Sequence, residues 1–345
     1  MKKRIATILA LGLCMVGITG CTSSKSASNS KEATVENPMV LTLSHGLSES
    51  HTVHIAMKEF EKRVEEGTEG RIQVNIFPNA QLGNETESME QLTAGVIAMT
   101  KVSAPILATY DEGYNTFGLP YIFDDTEDFY HVMDSDEMKE YFLSTEDDGF
   151  ITLTYYNSGA RSFYTKDKEI RTPADLKGLK IRVQDMESQT DLIKALGGTP
   201  VAMSYGDVYT SLQTGIIDGT ENNETALTTG KHGEICKVFS KDEHAMIPDV
   251  MVMSAKVWEK IAPEDREIIL EAAQQSTEMH KELWEEAINT AVDEAKTEMG
   301  VTFVEDVDKD AFREATKDLV QKYCDKYPGV QKLLETINSV KEENK

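Results

Sequence analysis

The chain has 345 residues, of which 40% are apolar and 28% are charged. This size and balance indicate a globular protein of about two ordinary lobes rather than a disordered segment. Its 35 basic and 60 acidic residues give a formal net charge of −25, which argues against nucleic acid and anionic lipid as partners because both bind basic surface. Taken alone, the negative charge also argues against an anionic ligand.

The N-terminal segment has the layout of a secretory signal peptide. Three basic residues at positions 2–4 precede an apolar run over 5–18, which is too short to span a bilayer. The small-residue stretch that follows is closed by Gly-Cys and resembles the lipobox of bacterial lipoproteins, which implies that Cys21 becomes a lipidated N-terminus. We therefore expect 1–20 to be a signal peptide and 21–38 to be the lipidated Cys with a Ser-rich tether. The alternative is an ordinary signal peptide cleaved nearby.

The remaining cysteines do not form a disulfide framework. Cys14 would leave with the signal peptide, so Cys236 and Cys324 remain besides Cys21. No CxxC pair suggests zinc binding or redox chemistry. A Cys236–Cys324 disulfide and two unpaired buried thiols are both compatible with the sequence.

The first third of the chain alternates between strand and helix patterns. Alternation over 40–43 predicts a strand, and apolar residues at helical spacing over 52–66 predict a helix. A strand over 71–77, a helix over 85–94 and a buried strand over 96–102 follow. This β-α-β-α-β order favours an α/β sheet with parallel strands.

The middle of the chain continues with shorter elements. Strands are predicted over 151–156 and 180–183, and 251–253 is a further strand candidate. Helices are predicted over 189–196, which ends at a Gly pair, and over 205–214. Strands and helices therefore follow one another along most of the chain.

The C-terminal quarter contains one unusually long helical pattern. Residues 264–299 include neither Gly nor Pro, and their apolar side chains recur at helical spacing. A continuous helix of this length would be about 54 Å long, which exceeds the width of one lobe of ~120 residues. It either forms a coiled coil or runs across two lobes, and the absence of a clean heptad favours the second.

The sequence lacks the common catalytic and metal-binding motifs. GxSxG, HExxH, GxxxxGK and GxGxxG patterns are all absent. His51 and His54 share a helix face, but no acidic partner stands at metalloprotease spacing, so a solvated or capping pair is favoured over a zinc site. We therefore expect neither a cofactor nor a metal, and these absences weaken the hypothesis of an enzyme.

Several segments, in order along the chain, resemble the DctP family, the solute-binding subunits of tripartite ATP-independent periplasmic (TRAP) transporters. These segments are 70–72, 77–83, 118–121, 159–163, 172–183, 208–209, 212–213 and 218–222. The stretches ADLKGLKIRV and DGTEN are specific when they occur together. The resemblance covers residues 39–335 and implies a binding protein rather than an enzyme.

The resemblance implies a two-lobed α/β fold of the periplasmic-binding-protein type II. Such a fold closes on its ligand like a clamshell and has a long C-terminal helix spanning both lobes, in agreement with the helical pattern above. Residues 39–158 and 248–287 would form one lobe, and 159–247 and 288–335 the other. Residues 336–345 are expected to be a tail.

Three residues match the principal ligand contacts of the family. Arg182 matches the arginine that pairs with the substrate carboxylate, and a guanidinium suits this role because it offers two parallel donors and stays charged. The alternative is a strand-end arginine paired with a surface acid. Arg161 matches a second arginine near the ligand, or forms a structural salt bridge across the hinge. Asn222 matches a ligand-contacting asparagine, or serves the turn after 218–219.

Weaker correspondences follow from the same resemblance. Glu85 matches a position that often faces the ligand, where it accepts hydrogen bonds from sugar hydroxyls or only caps the helix that starts nearby. Tyr205 matches an aromatic ligand contact or a core residue. His45 and His244 match polar contact positions in some relatives, each with a structural histidine as the alternative. Ser103 stands where sialic-acid binders carry an acid, which disfavours that substrate.

The resemblance implies an extracytoplasmic receptor that delivers a small organic acid to a membrane permease driven by an ion gradient. The lipobox-like junction adds a lipid anchor on Cys21, and we expect a monomer. The polar site residues suit a sugar acid, such as glucuronate or galacturonate, better than a ligand with a second carboxylate. A C4-dicarboxylate receptor for malate or succinate and a ligand-sensing subunit of a signalling receptor are the alternatives. A secreted hydrolase or lyase acting on uronates and a purely structural lipoprotein remain open.

Overall fold

Residues 33–343 are described in a computed structural model, and they form two β-sheets with helices packed around them. The expected signal peptide and Cys21 lie outside the described residues. The strands are β1 (Met39–Ser44), β2 (Ile72–Phe77), β3 (Met99–Ser103), β4 (Phe150–Tyr156), β5 (Ala160–Thr165), β6 (Lys180–Val183), β7 (Thr199–Ala202), β8 (Gly219–Asn222), β9 (Val238–Met246), β10 (Asp249–Ser254) and β11 (Thr302–Val304). The helices are α1 (Thr52–Gly67), α2 (Glu85–Ala94), α3 (Thr126–Met133), α4 (Asp136–Leu143), α5 (Glu187–Ala195), α6 (Val208–Thr214), α7 (Thr225–Thr228), α8 (Ala255–Trp258), α9 (Pro263–Thr297), α10 (Lys309–Lys326) and α11 (Pro328–Glu343).

The first sheet, called sheet I, has the strand order β2-β1-β3-β10-β4. β1 pairs in parallel with β2 and β3, as predicted from the order of the elements. β10 is antiparallel to β3 and β4, so the sheet is mixed where the chain returns to it from the other sheet. Leu41 and Leu43 of β1 are buried in one core with Phe60 and Val64 of α1.

The second sheet, called sheet II, has the strand order β11-β9-β5-β8-β6-β7. β6 pairs in parallel with β7 and β8, whereas β5 is antiparallel to β8 and β9. Ile181 and Val183 of β6 are buried in one core with Phe163. Because side chains alternate along a strand, Arg182 leaves β6 on the opposite face from this core.

The long helix is confirmed as α9, which has 35 residues and spans both lobes of the fold. Ile269 and Ala273, near its N-terminal end, are buried in the core of sheet I. Ala295, near its C-terminal end, is buried with Tyr164 and Phe239 of sheet II. One helix therefore contributes to the cores on both sides of the molecule. Lobe I and lobe II hereafter mean the parts built on sheet I and sheet II.

Besides α9, two short connections join the sheets. The chain passes from β4 to β5 through 157–159, and from β9 to β10 through 247–248. Ser158 Oγ donates to the carbonyl of Ile247 at 2.9 Å, which ties the two connections together. Gly159 has a φ of +69°, and a Cβ built on it would lie 3.2 Å from Trp284 Cζ2 of α9. Glycine is favoured here because it accepts this backbone conformation and the close approach of the helix.

The C-terminal residues do not form the expected tail. Residues 336–343 continue α11, in which Ile337 and Val340 are buried with Phe129 of lobe I. Lys341 Nζ lies 2.7 Å from Asp128 Oδ2. The segment is helical because its apolar face covers the core of lobe I, so the described residues begin and end on that lobe.

The two remaining cysteines are unpaired. Cys236 and Cys324 are buried free thiols that lie in two separate cores of lobe II. The disulfide alternative is therefore not realised. Of the helices in 33–343, none combines the length and the apolar character needed to cross a membrane.

Candidate functional site

A cavity of about 100 Å³ lies between the two sheets. Lobe I contributes Glu85 from the start of α2, Lys101 and Ser103 from β3, and Asp249 from β10. Lobe II contributes residues near the ends of β5, β6 and β8. Five of the seven predicted ligand contacts line it, namely Arg182, Arg161, Asn222, Glu85 and Tyr205.

Arg182 is a buried guanidinium without an acidic partner. Its side chain is 2% exposed, and its Nε and Nη2 donate to the carbonyl of Met203 at 3.1 and 2.8 Å. No carboxylate of residues 33–343 forms a salt bridge with it. Burial lowers the pKa of Arg182, yet arginine stays charged over the physiological range. The surface ion-pair alternative is therefore wrong, and the cavity wall carries an uncompensated positive charge.

Arg161 lies against the same cavity but already has an acidic partner. Its Nη2 donates to Glu221 Oε1 at 2.9 Å and to the Glu221 carbonyl at 2.8 Å, and its Nε donates to Glu221 Oε2. Nη1 donates to Asn222 Oδ1 at 3.0 Å. The salt bridge therefore exists, but it joins the neighbouring strands β5 and β8 of sheet II rather than crossing the hinge. Arg161 is held rigidly beside Arg182 with little net charge of its own.

Asn222 is the last residue of β8 and lines the cavity, and it does not form the turn after 218–219. Its Oδ1 accepts from Arg161 and from the backbone N–H of Asn223 at 2.9 Å, which leaves the side-chain amide N–H groups as its donors. Asn223 Oδ1 accepts from the backbone N–H of Thr225 at the start of α7. The turn after β8 is thus built by Asn223, while Asn222 faces the cavity.

His244 is not among the cavity-lining residues. It is buried behind Arg161, where Nδ1 donates to Asp242 Oδ2 at 2.7 Å and Nε2 lies 3.5 Å from Glu221 Oε2. Burial alone would lower its pKa, but Asp242 and Glu221 raise the pKa of His244 to about 9. Burial has the opposite effect on a carboxyl group and would raise the pKa of Glu221, but Arg161 and His244 lower it to about 2. His244 therefore stabilises the carboxylate that holds Arg161, and the structural alternative applies.

His45 is likewise a structural histidine. The backbone N–H of Leu47 donates to its Nδ1 at 3.1 Å, so the proton stands on Nε2, which donates to His54 Nδ1 at 3.0 Å. The ring is 2% exposed and does not line the cavity. Both ring nitrogens are occupied by neighbours, which supports the structural alternative for His45.

Lys101 is the main residue that sequence reasoning missed. Its side chain is 3% exposed, and Nζ lies 3.0 Å from Glu85 Oε1 and 3.1 Å from Asp249 Oδ1. Burial would lower the pKa of Lys101, but these two carboxylates raise it above its usual range. Glu85 is therefore an ion-pair partner rather than the helix cap, and Asn84 caps α2 instead.

His51 also lines the cavity, although the sequence predicts only a solvated or capping role for it. The capping interpretation is confirmed, because Nδ1 accepts from the backbone N–H of Val53 at 3.2 Å at the start of α1. Burial, helped by Lys101, lowers the pKa of His51 to about 3, so the ring is neutral at physiological pH. The remaining ring proton stands on Nε2, which makes His51 a neutral donor at the cavity.

The His244 pair generates a prediction about stability and pH. A pKa raised from 6.5 to about 9 means that the folded protein holds this proton more tightly than the unfolded chain. The wild-type protein should therefore have a higher free energy of unfolding than His244→Gln. This difference should be largest below pH 6.5 and should decline as the pH rises towards about 9. Urea unfolding across this window measures it.

His232→Gln is the matched control, because burial lowers the pKa of His232 to about 3 and the ring stays neutral throughout the window. In the unfolded chain the pKa of His232 is near 6.5, so the effect of His232→Gln on the free energy of unfolding should be constant only above about pH 7.5, and below that it should change with pH in the opposite sense to the effect of His244→Gln. If the difference in free energy of unfolding between wild type and His244→Gln is constant or grows with pH, the protonated His244 does not stabilise the fold as proposed.

Comparison with known proteins identifies the family. The model of the bacterial extracellular solute-binding protein family 7, DctP, matches residues 43–326. A Salmonella typhimurium protein, YiiZ, is 40% identical over 293 residues, which cover 85% of this chain and 89% of the relative. The 2,3-diketo-L-gulonate-binding periplasmic protein YiaO of Escherichia coli is 28% identical over 294 residues, or 85% and 89% of the two chains.

Solved structures agree with this match. A TRAP periplasmic solute-binding protein of Anaerococcus prevotii with bound D-glucuronate superposes with a TM-score of 0.85 and 35% identity, covering 88% of this chain and 99% of the other. A Bradyrhizobium protein in complex with D-galacturonate has a TM-score of 0.83 and 32% identity, with the same coverage. The chain therefore belongs to the DctP family of extracellular solute-binding proteins.

Proposed function

We propose that this protein is the extracytoplasmic receptor of a TRAP transporter and that it binds a hexuronate such as glucuronate or galacturonate. The observation that carries the proposal is Arg182, a buried guanidinium on a cavity wall without an acidic partner in the described part of the chain. A ligand carboxylate supplies the missing charge and accepts the remaining guanidinium donors. Binding alone suffices for this role, and no covalent step is required.

The charge distribution across the cavity favours a sugar acid over a dicarboxylate. On the wall of lobe II, Arg182 leaves one positive charge unmatched. On the wall of lobe I, Lys101 is shared between Glu85 and Asp249, so negative charge is in excess. Sugar hydroxyls donate well to these carboxylates, whereas a second ligand carboxylate would be repelled by them.

The relatives support the same ligand class. The solved relatives of Anaerococcus prevotii and Bradyrhizobium carry D-glucuronate and D-galacturonate, and YiaO is named for 2,3-diketo-L-gulonate. The C4-dicarboxylate-binding protein DctP of Rhodobacter capsulatus, 29% identical over 269 residues, represents the alternative ligand. The acidic side chains Glu85 and Asp249 are the features of this chain that weigh against that alternative.

In the proposed mechanism the ligand enters between the lobes and its carboxylate pairs with Arg182. Lobe I and lobe II then close on it, and the C-terminal part of α11 moves with lobe I, whose core it covers. The closed form hands the ligand to a membrane permease driven by an ion gradient. A sensory role would use the same site, but deleting the gene would then leave hexuronate uptake intact.

We also propose that the receptor is a monomer anchored to the outer face of the membrane through a lipid on Cys21. The Gly-Cys junction after the apolar run supports this proposal. Cys21→Ser should move the protein from the membrane fraction to the soluble fraction, since no acyl chain then holds it. If the variant stays with the membranes, the anchor is elsewhere.

The ligand class is tested by calorimetric titration of the wild-type protein. D-glucuronate or D-galacturonate should bind with a lower Kd than malate or succinate, because only the sugar acids offer hydroxyl donors to lobe I. NMR of the ligand after incubation should show it unchanged, as expected of a receptor rather than a hydrolase or lyase. Tighter binding of malate would contradict the hexuronate assignment.

The role of Arg182 is tested with Arg182→Met. Losing a buried charge partner costs about 2–5 kcal/mol, so the Kd for the ligand should rise by roughly 30-fold or more. The ligand-free variant should be at least as stable as wild type, because the replaced charge is buried and unpaired. Titration measures the first effect and urea unfolding the second.

Arg171→Met is the matched control, since Arg171 is an exposed arginine whose carboxylate partners Glu169 and Asp306 lie at the surface. Its Kd should equal that of wild type. Retention of wild-type affinity in Arg182→Met would show that the carboxylate binds elsewhere.

A further inference from the structure

Gln184 stands beside Arg182 in the cavity but has no assigned role. It is the first residue after β6 and two positions beyond Arg182, so both side chains leave the chain on the same face, about 6.6 Å apart along it. Both line the cavity. A group bound by Arg182 is thus within one sugar ring of the Gln184 amide.

One end of the Gln184 side chain joins the two lobes. Nε2 donates to Ser103 Oγ at 2.7 Å, and Ser103 ends β3 of sheet I. Ser103 Oγ in turn lies 3.3 Å from Asp249 Oδ1. A carboxylate only accepts, so Ser103 gives its single proton to Asp249 and accepts from Gln184. This arrangement fixes the amide with Nε2 towards lobe I.

The other end of the amide is an unpaired acceptor. Gln184 Oε1 is buried and has no hydrogen-bond partner within the part of the chain that the structure describes. Buried carbonyl oxygens are normally paired, because burying them without a donor is costly. Since Gln184 lines the cavity, a donor on the ligand can supply the missing hydrogen bond. A carboxylate cannot, because it offers no proton.

We propose that Gln184 is a specificity-determining residue. Its Oε1 accepts a hydrogen bond from a ligand hydroxyl, while its Nε2 joins the two lobes by donating to Ser103. The inference rests on the proposed function and sharpens it, since it requires a ligand with a hydroxyl close to its carboxylate. One side chain then couples recognition of that hydroxyl to the closed arrangement of the lobes.

The test pairs Gln184→Leu, which keeps the volume but removes both polar ends, with a set of monodeoxy glucuronates. Gln184→Leu should raise the Kd for D-glucuronate about tenfold or more. One monodeoxy compound should bind wild type more weakly by a similar factor and should lose little further affinity in Gln184→Leu, because it lacks the hydroxyl that Oε1 accepts. Ser103→Ala should increase the dissociation rate but keep the ranking of the deoxy compounds.

Gln213→Leu, at an exposed glutamine of α6, is the matched control and should bind like wild type. Circular dichroism and thermal unfolding establish that each variant is folded. If Gln184→Leu does not fold, Gln184→Asn replaces it, because its shorter amide reaches neither partner, and the same rise in Kd for D-glucuronate is expected. If a folded Gln184 variant keeps the wild-type Kd for D-glucuronate and the wild-type ranking of the deoxy compounds, the role of Gln184 is wrong but the proposed function stands. A wild-type protein that binds no hexuronate overturns the proposed function, and this inference with it.

Discussion

The uncompensated charge of Arg182 is the constraint on which the rest of the site depends. A buried guanidinium without a counter-charge is unfavourable, and its only described protein acceptor is the carbonyl of Met203. Neighbouring cations have been neutralised, because Arg161 is matched by Glu221 and Lys101 by two carboxylates. The wall of lobe II therefore lacks one negative charge at one defined position, which is the property expected of a receptor for a monoanion.

The overall acidity of the protein does not oppose this role. Exposed charges are screened beyond about 8 Å at physiological ionic strength, whereas a pair inside the cavity is screened much less. The net charge of −25 is therefore mainly a property of the outer surface and its solubility. The ligand is selected by the groups that face it inside the cavity. The two carboxylates around Lys101 accept hydrogen bonds on one wall, and Arg182 binds a carboxylate on the other.

Local patterns in the sequence were sufficient for the long helix and for Arg182, but not for contacts that the fold creates. Residues 264–299 predicted α9 because helical periodicity and the absence of Gly and Pro are local signals. Lys101 gave no such signal, since its partner Asp249 is 148 positions away. His45 and His244 matched contact positions, yet in the interior His45 bonds His54 and His244 bonds Asp242, and neither ring lines the cavity. Only the assembled fold determines such pairings.

The links between the lobes determine how closure can act on the ligand. α9 is buried in the cores of both lobes, so it cannot slide without exposing apolar side chains at one end. The two short connections are tied to each other by Ser158, which also accepts from Asn223 Nδ2 at 2.7 Å at the cavity wall. Rotation about these connections therefore moves the Arg182 wall relative to the Lys101 wall. A ligand that reaches both walls holds them at one separation, so capture of the carboxylate and closure of the lobes are a single equilibrium.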